Sequence, residues 1–393
     1  MSNDLRTPVP PGATIGILGG GQLGRMLGFA ARAMGYRIAV LDPDPDCPAA
    51  AIADRVVVSP YDSVEGAVEL TQGCAVVTYE LEHVDAALVD AVEAAGVPVR
   101  PGACALRMTQ DRLTERRFVA GLGIPTAPWR EVTDEAGLRA AAVELGTPLR
   151  LKAPTGGYDG RSQVRIADPG EISGALARLA GPPRAPGIAL LAERELDFEA
   201  ELSVITARAL DGSLATFPVS RNVHDAGILV ESIAPAPVDP AAAGAARALG
   251  ARIAEALDAV GVVTAELFLL RDGRLAVNEL APRVHNSGHW TIEGARTSQF
   301  EQHVRAICGH PLGDPAAYGP TAMVNLLGTG EPREARLEGT DAALVDPLVH
   351  LHVYGKRLVY ERRKMGHLTV AGASEAGEAV ARGRAALARL RWT

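Results

Sequence analysis

The sequence predicts an α/β protein: a parallel sheet with helices on both faces, then a smaller α/β unit, then a mixed tail. Three observations predict it. Strand-like and helix-like runs alternate from residue 14 to about residue 100, the order that builds a parallel sheet. Two apolar, β-branched-rich runs flank Asp272-Gly273, a strong two-residue hairpin signal. A chain of 393 residues that is 47% hydrophobic and 22% charged is globular and long enough for two or three domains with ample core.

Residues 1–12 read as a short disordered leader without the charged-then-apolar pattern of a secretion signal. ATIGILG is a strand, GQLGRMLGFAARAMG a helix and YRIAVLD a second strand. After DRVVVS come the helix SVEGAVELTQG, the strand CAVVTYE, the helix DAALVDAVEAAG and the short strand VPVRP, closing a first domain over 13–110. ACALRMTQDRLTERRFVAGLG reads as one helical stretch into IPTAPW, whose prolines mark a boundary. A second domain covers 111–310 and contains the smaller α/β unit, about 127–200. That unit runs PWREV, helix DEAGLRAAAVELG, PLRLKAP, loop TGGYDGRS, QVRIA, helix PGEISGALARLA, a turn at PPRAPG, and IALLAERE. Strands around ELSVITARAL and SLATFPVS, the Pro/Ala-rich IAPAPVDP, a long helix to about Val260, the hairpin and the helix TSQFEQHVRAICG follow. Residues 311–393 form a mixed C-terminal domain ending in the helix EAGEAVARGRAALARL.

A net charge of −8 argues against a general nucleic-acid or membrane surface, while leaving room for local basic clusters that bind small anions. No apolar run approaches the ~18 residues of a membrane span. Four scattered cysteines without CxxC spacing suit reduced, inert thiols, as in a cytosolic protein.

The hairpin carries the most chemistry. Counting outward from Asp272-Gly273 pairs Arg271 with Arg274, Leu270 with Leu275 and Glu266 with Glu279. Directly opposed residues share a face at roughly 4.5–5.5 Å, where like charges destabilise, so a cation is expected between them. A nearby arginine or a solvated edge would answer that need. Mg²⁺ would answer it too, because hard cations take carboxylate oxygens and share their shell with substrate phosphates. The following loop, APRVHNSGHWT (281–291), crowds Arg, His, Asn and Ser where binding groups collect.

Four further motifs stand out. Gly19-Gly20-Gly21-Gln22-Leu23-Gly24 satisfies GxGxxG, with Asp42 ending the next strand. It permits an NAD site, a single phosphate, or a turn that only packs strand against helix. Thr155–Ser162 lies between two strands, so it is no Walker loop. As a hairpin loop it can cradle phosphates with its N–H groups, aided by Lys152, or be an ordinary flexible turn. Glu193-Arg194-Glu195-Leu196, with Glu199 and Glu201 beyond, offers acceptors for ribose hydroxyls and backbone for adenine, or is a solvated loop. Tyr354-Gly355-Lys356 and Arg362–His367 concentrate cations that either form a solvated face or hold a phosphate or carboxylate.

Together IGILGGGQLGRML, VVTYELEHV, IPTAPW, TGGYDGR, NELAPRVHNSGHWT and RKMGHL resemble the 5-(carboxyamino)imidazole ribonucleotide synthase family, ATP-grasp enzymes of purine biosynthesis. The resemblance spans nearly the whole chain. It implies an N-terminal preATP-grasp domain with a Rossmann-like sheet, an ATP-grasp domain with a mobile lid, a small C-terminal domain, and usually a homodimer. ATP would bind through Arg112, Lys152, the lid Gly157, Tyr158, Asp159, Gly160, Arg161, Ser162 and Gln163, the hinge Glu193–Leu196, Glu201 and His224. Glu266 and Glu279 would hold Mg²⁺, with Asn278 beside them. Aminoimidazole ribonucleotide and bicarbonate would meet near Gln22, Leu23, Glu80, Tyr158, Asp159, Arg161, His285, Asn286, Lys356, Arg363 and Lys364.

The implied reaction begins with bicarbonate attacking the γ-phosphate of ATP to give carboxyphosphate. The exocyclic amine of the imidazole then captures that species or the CO₂ it releases, while the closed glycine loop excludes water. Another ATP-grasp ligase, such as a formate-dependent glycinamide ribonucleotide formyltransferase, shares much of this pattern. An NAD-dependent oxidoreductase would explain GGGQLG and Asp42 but neither the opposed carboxylates nor the glycine loop. A non-catalytic nucleotide sensor would need far fewer polar groups.

Overall fold

The computed structural model describes residues 7–156, 162–179 and 189–393. The expected turn at PPRAPG lies outside the described residues. In the first domain β1 (Thr14–Leu18), α1 (Gln22–Ala33), β2 (Arg37–Asp42), β3 (Arg55–Val58), α2 (Val64–Leu70), β4 (Cys74–Tyr79) and α3 (Ala86–Ala94) build a parallel sheet of order β3-β2-β1-β4. Period-two alternation sends Ile15, Ile17, Ile38 and Val40 into one core and Leu18, Ala39 and Leu41 into another. The predicted strand VPVRP shrinks to one parallel bridge, Val77 to Val99, because Pro98 and Pro101 have no N–H to give a ladder.

Two other expectations are corrected here. Residues 7–12 of the leader are tied to the body: the Val9 N–H donates to Cys308 O at 2.8 Å and the Tyr36 hydroxyl donates to Val9 O at 2.7 Å. The stretch 103–123 is not one helix. It breaks into α4 (Ala103–Gln110) and α5 (Arg112–Gly121) at Asp111, whose extended backbone and side chain cap α5 by accepting from Thr114 N at 2.8 Å. The break places Arg112 in the first turn of α5, its N–H donating to Pro154 O at 2.8 Å.

The unit after the boundary contains β5 (Trp129–Val132), α6 (Glu135–Leu145), β6 (Leu149–Lys152), β7 (Gln163–Ile166), α7 (Ile172–Arg178) and β8 (Leu190–Arg194). Its sheet is antiparallel, β5-β8-β6-β7, and both helices share one apolar core with it.

A nine-stranded antiparallel sheet dominates the rest. It uses β9 (Phe198–Arg208), β10 (Leu214–Thr216), β11 (Ser220–Asp225), β12 (Ile228–Ala234), then, after α8 (Pro240–Ala256), β13 (Gly261–Leu270) and β14 (Leu275–Ala281). After α9 (Thr291–Gly294) and α10 (Gln299–Ile307) comes β15 (Thr321–Leu327). The strand pairs β16 (Arg333–Glu334) with β19 (Leu358–Val359) and β17 (Leu337–Glu338) with β21 (Arg391–Trp392), and the short α11 (Thr340–Ala343), ornament the tail. β18 (Val349–Val353) and β20 (Lys364–Ala371) join the large sheet under α12 (Ala376–Leu387). Its order is β14-β13-β9-β11-β12-β15-β20-β18, with β10 paired to β9 off this path, so the tail beyond residue 310 continues the sheet of the middle region through β12–β15. Sequence reading missed the β11–β12 hairpin. Its turn places Ala226 at φ 46° and Gly227 at φ 81°, and an alanine in the left-handed region carries no turn signature. One core runs through all three regions, joining Ile17 and Leu27 to Phe300, Val304 and Trp290 and to Met323 and Tyr354.

Candidate active site

Glu266 and Glu279 are paired across β13 and β14, as counted from the sequence, but by a different route. The turn is one residue longer than a two-residue loop: Leu269 opposes Leu275, the Gly273 N–H donates to Leu270 O at 2.9 Å, and Gly273 sits at φ 82°. A bulge at Asn278 then restores the register between Leu267–Val277 and Glu266–Glu279. The two offsets cancel.

Around this pair lies a cleft of about 600 Å³ between the 127–200 unit and the large sheet. It gathers Arg112, Lys152, Gln163, Glu193, Arg194, Glu195, Leu196, Glu201, His224, Glu266, Asn278, Glu279, His285, Asn286 and Lys364, which sequence reading had drawn from six separate segments. β6 and β7 bring Lys152 opposite Gln163, and the connection from β8 to β9 carries the hinge across the cleft. Gly157, Tyr158, Asp159, Gly160 and Arg161 lie outside the described residues. Ser162, at φ 63°, donates to Gly156 O at 3.2 Å and does not line the cleft.

The electrostatics are asymmetric. Lys152 Nζ stands 2.6 Å from Glu193 Oε2, and Arg116 Nε donates to Glu193 Oε1 at 2.5 Å. Burial pushes the Glu193 carboxyl up, yet the two cations overcome it and hold it at about 2. At the other end burial, with Glu279 and Glu201, outweighs His224 and raises Glu266 to about 7. His285 Nε2 is 3.6 Å from Glu266, and Arg112 Nη2 is 3.9 Å from Glu279. Burial first, then Arg283 and Lys364, lowers His285 well below its usual range, so it is a neutral imidazole. His224 is hydrogen-bonded through Nδ1 to Glu201. Among the described residues no group of three or more His, Cys, Asp or Glu forms a ready metal cage. The opposed pair instead supplies two hard oxygen donors facing open space, which suits an ion that takes the rest of its shell from phosphate and water.

Several predicted residues fall elsewhere. Gln22, Leu23 and Glu80 do not line the cleft: Leu23 is buried, and Glu80 accepts from Gly21 N at 2.5 Å and Gly24 N at 2.6 Å. A carboxylate of the protein thus occupies the anion position at the start of α1. A Cβ on Gly21 would come within 2.4 Å of that carboxylate, which explains the glycine without a dinucleotide. Asp42 is likewise spent on Gly20 N at 2.8 Å and the Tyr61 hydroxyl at 2.6 Å. In the tail, Lys364 at the start of β20 lines the cleft, whereas the Arg363 guanidinium donates to Leu358 O at 2.6 Å and lies over the Tyr360 ring. Lys356 Nζ donates to Lys364 O at 2.7 Å.

Four features escaped sequence reading. Phe198 and Phe268 stack at 4.6 Å and wall the cleft beside the hinge; period-two alternation hides such a wall among core residues. Arg283 forks onto Glu82 of the first domain, Nη2 to Oε1 at 2.7 Å, although both sit inside motifs that the sequence singled out. Leu229 comes from the missed hairpin, and Arg116 lies behind the cleft wall.

Three family models match in chain order: a ribonucleotide synthetase preATP-grasp domain over residues 12–110, an ATP-grasp domain over 117–300, and a phosphoribosylaminoimidazole carboxylase C-terminal domain over 321–381. Fold and domain order are those of an ATP-grasp ligase. An N5-carboxyaminoimidazole ribonucleotide synthase of Brucella melitensis is 44% identical over 93% of this chain and 98% of its own. The crystal structure of an N5-carboxyaminoimidazole ribonucleotide synthetase in its ADP complex superposes with a TM-score of 0.88 at 37% identity, covering 97% of both chains. The Aspergillus clavatus N5-carboxyaminoimidazole synthase, in complex with ADP and 5-aminoimidazole ribonucleotide, gives 0.87 at 33% identity over 96% of this chain and 99% of that one. The chain belongs to the N5-carboxyaminoimidazole ribonucleotide synthase family.

Proposed function

We propose that this protein carboxylates 5-aminoimidazole ribonucleotide with bicarbonate, using ATP, to give N5-carboxyaminoimidazole ribonucleotide, ADP and phosphate in purine biosynthesis. The observation that carries the reading is the convergence on one cleft of the opposed Glu266–Glu279 pair, Lys152, Arg112 and the hinge.

The Phe198–Phe268 wall and the hinge backbone receive the base, and Glu201, held by His224, receives the ribose. Arg112 and Lys152 place fixed positive charge beside the phosphates, where charge moves during transfer. Glu266 and Glu279 would hold Mg²⁺, with Asn278 beside them, and the ion would neutralise charge on the transferring phosphoryl group. Bicarbonate oxygen attacks the γ-phosphorus as ADP leaves. The imidazole's exocyclic amine then bonds to the carboxyl carbon of the resulting carboxyphosphate as phosphate departs and the amine loses a proton. His285 is neutral and its Nδ1 accepts from the Ser287 N–H at 3.3 Å, so the ring proton sits on Nε2, turned toward Glu266; Lys364 and Asn286 supply the polar end that orients the second substrate.

We assign the protein to the cytoplasm as a homodimer. The described cysteines are all free thiols, and no helix among the described residues is long and apolar enough to cross a membrane. Light scattering tests the dimer. For the activity, ADP release is measured with each substrate omitted in turn. ADP that forms only when aminoimidazole ribonucleotide and bicarbonate are both present supports the reading; equal ADP release with formate and glycinamide ribonucleotide overturns it.

A further inference from the structure

We propose that Arg116, which does not line the cleft, is a positioning residue that aligns the two halves of the phosphate site from behind. The proposal rests on the ATP reading of the cleft above. Arg116 is 1% exposed and spends each nitrogen of its guanidinium on a different element. Nε donates to Glu193 Oε1 of β8 at 2.5 Å, Nη1 to Glu115 Oε1 on its own helix at 2.6 Å, and Nη2 to the Asn278 carbonyl of β14 at 2.6 Å. Each carboxylate passes the restraint on through its second oxygen. Glu193 Oε2 holds Lys152 Nζ at 2.6 Å, and Glu115 Oε2 accepts from Leu280 N at 2.8 Å.

Asn278 is the bulged residue that brings Glu279 opposite Glu266, and Leu280 is the residue on the far side of Glu279. Arg116 and Glu115 therefore clamp the strand on both sides of one metal-site carboxylate. Through Glu193, the same guanidinium fixes the ammonium that meets the phosphates. Two buried carboxylates, Glu115 and Glu193, thus share two cations, Arg116 and Lys152. Without Arg116, Lys152 would be the one remaining partner of a buried carboxylate and would be drawn off the phosphate. A lysine at 116 keeps the charge but lacks the planar fork that spans three acceptors.

Arg116→Met and Arg116→Lys test this by steady-state kinetics, normalised to folded protein. Both should lose about tenfold to a hundredfold in kcat/KM for ATP and need more Mg²⁺ for half-maximal rate, while KM for aminoimidazole ribonucleotide stays within about twofold. In a Lys152→Met background the same change should cost much less, because the two residues act on one group. Wild-type kinetics per folded molecule at a lowered Tm, or full additivity with Lys152→Met, would overturn the proposal. Should Arg116→Met fail to fold, Arg116→Lys alone decides by the Mg²⁺ requirement. An unimpaired Lys152→Met enzyme would instead count against the ATP reading itself.

Discussion

Glu266 and Glu279 face each other across the β13–β14 ladder only because the bulge at Asn278 compensates a hairpin turn one residue longer than Asp272-Gly273 suggests. Two carboxylates so placed repel, and burial of Glu266 deepens the cost. Such an arrangement persists where function requires a cation between the pair.

Glu279→Gln and Glu266→Gln should therefore keep the fold, with Tm unchanged or raised, while Mg²⁺-dependent turnover falls by about a hundredfold or more. Thermal melts paired with ADP-release rates check this. Near-normal turnover at matched Mg²⁺ in both variants would make the pair structural.

The start of α1 should ignore dinucleotides, because Glu80 already accepts from Gly21 and Gly24 and Asp42 from Gly20. NAD or NADP should leave the melting temperature unchanged. ATP with Mg²⁺ should raise it by mass action. A larger shift with nicotinamide cofactor than with ATP would revive the oxidoreductase reading.

Lys364→Ala should lower kcat/KM for aminoimidazole ribonucleotide or bicarbonate by about tenfold to a hundredfold, the loss of one charge-assisted contact in a closed pocket. Arg363→Ala should stay within about threefold, since its guanidinium serves the Leu358 carbonyl and the Tyr360 ring. Equal losses in steady-state kinetics would put both cations on the substrate.

The Glu82–Arg283 fork joins the first domain to the cleft and should make stability acid-sensitive. Burial raises the Glu82 carboxyl, but Arg283 holds it down at about 2, below its ordinary 4.5. The stabilisation is thus complete above pH 4.5 and is lost as pH falls toward 2, on the order of 3 kcal/mol in all. Denaturant midpoints should show Glu82→Gln well below wild type at pH 7, with the gap narrowing through that acid window. A constant gap would mean that the pair contributes no such linkage.

The parallel N-terminal sheet and most of the cleft's polar groups were legible in the sequence, whereas the opposition of Glu266 and Glu279 was counted from a two-residue turn and holds only because the bulge at Asn278 cancels the longer one. The first two depend on local periodicity, on turn residues and on motifs whose side chains must be present for the chemistry. The sequence could not show that the helix breaks at Asp111, since capping there is one of several conformations open to an aspartate until Pro154 is in place to accept the Arg112 N–H. Nor could it find the β11–β12 hairpin, whose Ala226 adopts a positive φ that neighbouring strands enforce. Which cations face the cleft also depended on long-range packing: Lys364 and Arg363 are adjacent in sequence, yet Lys364, paired with Leu327 of β15, lines the cleft while Arg363 serves the Leu358 carbonyl. The same holds for Glu80, 56 residues beyond the Gly24 N–H that it caps, and for Arg116, whose partners lie 77 and 162 residues away. Local pattern names the groups that chemistry needs; long-range packing chooses which of them meet.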